Sequence, residues 1–99
     1  METDKILIAI VDDHTLFRNG VASLMSEFAE LQVVFEAENG QQMQAALAKH
    51  PSPDVVLMDI NMPVMDGYEA TAWLKKNHPG IKVLALSMFE DDLAVIKMI

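Results

Sequence analysis

The chain has 99 residues, just over half of them hydrophobic, a formal net charge of −8 and no cysteine. That length suits one domain with a single core, and that hydrophobic share excludes a disordered chain. The acidic balance, with Lys and Arg scattered, argues against direct nucleic-acid binding and against an anionic membrane surface, and the lack of Cys excludes disulfides and thiolate metal sites.

Met1-Glu2-Thr3-Asp4-Lys5 is polar and partly acidic, unlike a signal peptide, and no apolar run reaches membrane-spanning length. A cytoplasmic location is the expectation. Ile6-Leu7-Ile8-Ala9-Ile10-Val11 is a continuous apolar run that stops at Asp12 and Asp13, the pattern of a strand buried on both faces. Thr15 stands where it can cap a following helix, in which Phe17, Val21, Leu24 and Phe28 share one face. Residues 32–38, around Val33-Val34-Phe35, read as a shorter strand. Asn39-Gly40 turns the chain into a helix over 41–50 with Met43, Ala46 and Leu47 inward, and His50-Pro51-Ser52-Pro53 ends it.

Val55-Val56-Leu57-Met58 is another short apolar run, ending on Asp59 and followed by a loop with Asn61, Pro63 and Gly67. A helix over 67–77 carries Ala70, Thr71 and Leu74 on its inner face, and Asn77-His78-Pro79-Gly80 stops it. Residues 81–86 form the next strand, ending at Ser87. Glu90, Asp91 and Asp92 open a last helix with apolar positions at Leu93, Val95, Ile96 and Ile99. Strands alternating with helices predict an α/β fold with a parallel sheet and right-handed crossovers.

In open sheets of this kind the ligand site lies beyond the carboxyl ends of the strands. Asp12 and Asp13 end the first strand and Asp59 the third, so the three share a crevice if those strands are neighbours. Carboxylates repel at about 4 kcal/mol per pair at 4 Å and an effective dielectric near 20, which calls for a cation or a raised pKa. Oxygen donors suit a hard ion such as Mg²⁺. His14, His50 and His78 fall in separate loops and read as surface or turn residues rather than ligands.

Val11-Asp12-Asp13-His14, the stretch Leu57-Met58-Asp59-Ile60-Asn61-Met62-Pro63-Val64-Met65-Asp66-Gly67, and Leu86-Ser87 together resemble the receiver domain of two-component response regulators. The stretch from Val11 to Gly20 resembles the branch with a LuxR-type helix-turn-helix output domain. The resemblance implies a flavodoxin-like doubly wound sheet of strand order 2-1-3-4. It implies Asp59 as phosphoacceptor from a sensor histidine kinase. Asp13 and Asp59 would ligate Mg²⁺ directly, Asp12 mostly through water, and Asn61 through its backbone carbonyl. Ser87 would be the switch hydroxyl. Asn61 puts an amide where an acid could activate water, and Met88, bulky beside Ser87, is expected to screen the acyl phosphate.

The family's fifth strand and helix, and the Lys that ends that strand, have no match here, so residues 1–99 read as a C-terminally incomplete receiver. Lys97 falls within the expected fourth helix and is not that Lys. The strand before Ser87 would then be an apolar edge, inviting a homodimer through that edge or the fourth helix. Two other readings compete: a Mg²⁺-dependent phosphohydrolase with an aspartyl nucleophile, and a degenerate receiver that only dimerises. The first lacks its usual second acid, since Asn61 stands two residues after Asp59.

Overall fold

The structure is a computed structural model and describes residues 5–59, 65–87 and 94–97. In chain order it runs β1 (Ile6–Val11), α1 (Thr15–Ser26), β2 (Leu31–Ala37), α2 (Gly40–Lys49), β3 (Val55–Asp59), α3 (Gly67–Asn77), β4 (Lys82–Ser87) and β5 (Ala94–Lys97). The sheet order is β2-β1-β3-β4-β5. The first four of these strands are parallel, as expected, while β5 returns antiparallel along β4.

The apolar runs make the strands, and helices on both faces make burial of those runs complete. Ile8, Ile10 and Leu57 point to one face, where Phe17, Val21, Ala22 and Met25 of α1 cover them. Ala9, Val11, Val56 and Met58 point to the other, among Met43, Ala70 and Leu74 of α2 and α3. The inner face of α3 is as predicted, with Ala70, Thr71 and Leu74 buried. Asp66 caps that helix by accepting from the Glu69 amide at 2.9 Å, and the Glu69 carboxylate accepts from the Asp66 amide at 3.3 Å. In α2 Met43 is buried and Ala46 and Leu47 pack against the core.

Three expectations are corrected. Thr15 is the first residue of α1 rather than its cap; His14 holds the cap position and makes no side-chain capping bond. The packed face of α1 runs through Phe17, Val21, Ala22 and Met25, leaving Leu24 and Phe28 about half exposed. The segment expected to continue a fourth helix is, over Ala94–Lys97, a strand. It pairs Leu84 with Lys97 through Ser87 with Ala94, so that this stretch of β4 is not an open edge. Glu90, Asp91 and Asp92 lie outside the described residues.

Candidate functional site

β1 and β3 lie side by side in register, Val11 against Met58, so the residues that end them are brought together at the carboxyl edge of the sheet. Asp59 is the last residue of β3 and Asp12 follows β1 directly. Both are buried, at 5% and 1% exposure. Burying carboxylates is costly unless donors or cations face them.

Asp12 is pinned on every side. Its amide donates to the Ala37 carbonyl at 2.9 Å, and its Oδ1 accepts from the His14 amide at 2.7 Å. His14 Nδ1 lies 3.0 Å from the same oxygen, 3.2 Å from Asp13 Oδ1 and 3.7 Å from Asp59 Oδ2. The imidazole thus sits among the three acids. Its pKa is raised, chiefly by the hydrogen bond with Asp12; desolvation opposes this, and the charges of Asp13, Asp12 and Asp59 raise it further.

His14 was expected to be a surface or turn residue; its side chain is indeed 58% exposed, and its ring also reaches into the acidic cluster. Its position directly after the acid pair was the available signal. Arg18 is a second residue that periodicity did not mark. It is buried in α1, its Nη1 donates to the Asp12 carbonyl at 2.7 Å, and its Nε donates to Glu36 Oε1 on β2 at 3.1 Å.

The donor set fits a hard cation. One atom from each of Asp12, Asp13, His14 and Asp59 lies within 4.8 Å of the others. Asp13 Oδ1 is buried and, among the described residues, makes no hydrogen bond, its approach to His14 lacking the geometry for one. A buried carboxylate oxygen without a donor, beside two more carboxylates, is the environment an oxygen-seeking divalent ion neutralises. Ser87 ends β4, one residue beyond the Leu86 that pairs with Asp59, and so stands at the same sheet edge. Asn61 and Met88 lie outside the described residues.

A doubly wound α/β domain with an acidic site at the carboxyl edge of its sheet is the class that fold and site define. The family model described as the response regulator receiver domain matches residues 8–99, and the chain belongs to that family. It is 45% identical over 89 residues to the transcriptional regulatory protein DegU of Brevibacillus brevis, covering 90% of this chain and 37% of that protein. It therefore spans well under half the length of that relative. Among solved structures it resembles the signal receiver domain of the response regulator NarL from Mycobacterium tuberculosis, with a TM-score of 0.75 and 33% identity over 90% of this chain and 71% of that one. It also resembles a LuxR-family two-component response regulator from Aurantimonas sp., with a TM-score of 0.79 and 28% identity over 88% of this chain and 61% of that one. No helix among the described residues is long and apolar enough to cross a membrane.

Proposed function

We propose that residues 1–99 form a phosphoacceptor receiver that works in the cytoplasm and takes a phosphoryl group on Asp59 from the phosphohistidine of a sensor kinase. The supporting observation is the convergence of Asp12, Asp13 and Asp59 oxygens at one sheet edge. Asp12, Asp13 and Asp59, with the Asn61 backbone carbonyl, would hold Mg²⁺. When bound, the ion supplies positive charge against these acids and the phosphoryl oxygens.

An Asp59 carboxylate oxygen attacks phosphorus, the phosphorus–nitrogen bond breaks, and its electron pair stays with the leaving imidazole. The product is an acyl phosphate. Burial of Asp59 keeps bulk water from the carboxylate that carries it. Ser87 then donates its hydroxyl hydrogen bond to the new phosphoryl oxygens. Asn61 offers no carboxylate to activate water, and Met88 screens the acyl phosphate, so the group persists. The switch is read by a LuxR-type, DNA-binding output domain outside this chain, a reading supported by its transcription-regulator relatives.

The test is incubation with Mg²⁺ and acetyl phosphate followed by intact-mass measurement. One added phosphoryl group that disappears in Asp59→Asn and on chelation is the expected result. Turnover of many donor molecules would instead make the protein a phosphohydrolase, and no labelling would leave a module that only assembles. In the same assay Met88→Ala is expected to shorten the lifetime of the label severalfold; an unchanged decay rate removes Met88 from the account.

A further inference from the structure

Arg18 is the residue whose placement the acidic site does not by itself explain. A guanidinium is seldom buried, yet this one is only 9% exposed. Among the described residues its two side-chain hydrogen bonds reach different elements. Nη1 donates to the carbonyl of Asp12, at the end of β1, and Nε to the carboxylate of Glu36, near the end of β2. With its own backbone in α1, Arg18 ties three elements together behind the site.

The atom it grips matters. The Asp12 carbonyl belongs to the peptide unit that leads into Asp13, and a planar peptide has no soft torsion of its own. Holding that oxygen at 2.7 Å therefore fixes the plane from which Asp13 departs. Asp12 itself has other restraints, through the Ala37 carbonyl and His14. Asp13 Oδ1 makes no hydrogen bond among the described residues and has only the 3.2 Å approach of the exposed His14 ring, so the direction of that carboxylate leans on its backbone.

We propose that Arg18 is a positioning residue for the cation site, clasping the Asp12–Asp13 peptide so that Asp13 faces Asp12 and Asp59, with Glu36 orienting the clasp. The inference rests on the metal-dependent reading above. Arg18 touches neither ion nor phosphoryl group. Lys in its place keeps the charge but gathers its donors on a single nitrogen, without the planar fork that spans two acceptors. Outer partners of metal ligands typically change affinity by roughly 10–100-fold when removed.

The test is a Mg²⁺ titration followed by the backbone amide NMR shifts of Asp13 and His14, in wild type, Arg18→Ala, Arg18→Lys and Glu36→Ala. Acetyl phosphate labelling is measured on the same samples at low and high Mg²⁺. The expected result is a Mg²⁺ affinity lowered about tenfold or more in Arg18→Ala, with intermediate losses in Arg18→Lys and Glu36→Ala. Labelling should recover at saturating Mg²⁺. A merely structural arginine would lower thermal stability and leave the affinity of the folded variants at the wild-type value, which overturns the proposal. If Arg18→Ala does not fold, the two milder variants decide by the same criterion. A wild type that neither binds Mg²⁺ nor is labelled overturns the receiver reading and this inference with it. A wild type that does both, beside variants of equal affinity, overturns this inference alone.

Discussion

A methyl group added at Gly40 would lie 2.6 Å from Met65 Cγ and 2.8 Å from its Cβ, closer than real side chains approach. Gly40 opens α2, and Met65 lies two residues before α3. Gly→Ala in a helix ordinarily gains up to about 1 kcal/mol. Overpacking costs about 1–3 kcal/mol, so Gly40→Ala should destabilise on balance. Met65→Ala in the same molecule removes the obstacle, and urea unfolding of the double variant should return most of the loss. At this scale the acids were legible because each ends an apolar run, and a charge that stops a buried strand is conspicuous. His14 and Arg18 were not. His14 stands next to the acid pair in the chain, but whether its ring turns toward Asp59 depends on the pairing of β1 with β3. The role of Arg18 depends on a side chain spanning three elements, and no spacing along one element records that. Gly40 was legible only as a turn residue; its close approach to Met65 joins parts of the chain 25 positions apart.

Most elements sit where their sequence signals put them, and α3 matches residue for residue. The exceptions are instructive. In α1 the helical period admits two stripes that share Phe17 and Val21, one continuing to Leu24 and Phe28 and the other to Ala22 and Met25. The second is the one packed, against Ile8, Ile10 and Leu57, and it brings Arg18 to the Asp12 carbonyl. Apolar spacing alone does not choose between them. The residues 94–97 show local preference yielding to pairing. An unpaired edge of β4 would leave backbone donors and acceptors open, and Ala94–Lys97 supplies partners to Leu84–Ser87. The expected dimer through that edge loses its main driving force here. Val95→Pro should weaken this pairing, since proline lacks the amide donor and resists a ladder position. Light scattering over a range of concentrations is then expected to show more self-association than in the parent chain. Equal behaviour of the two would mean that β5 does not protect the edge.

At the scale of the whole molecule, the alternation of apolar runs with amphipathic stretches determined a layered α/β domain, because each run needs cover on both faces and helices provide it. The order of the four parallel strands, given by family resemblance, holds in the structure and sets Asp12 and Asp13 beside Asp59. Acid placement at strand ends pointed to a cation site, since converging carboxylates require an offsetting charge. Those conclusions needed only the order of residues along the chain and its likeness to a known family. Tertiary structure alone decided that His14 stands among the acids, that Arg18 holds the peptide between two of them, and that β5 runs back along β4. Each depends on the direction of a side chain or strand in three dimensions, and the approach of His14 to Asp59 and of β5 to β4 joins distant segments. The sequence by itself therefore determined which residues could carry the chemistry, and packing decided which neighbours hold them in place.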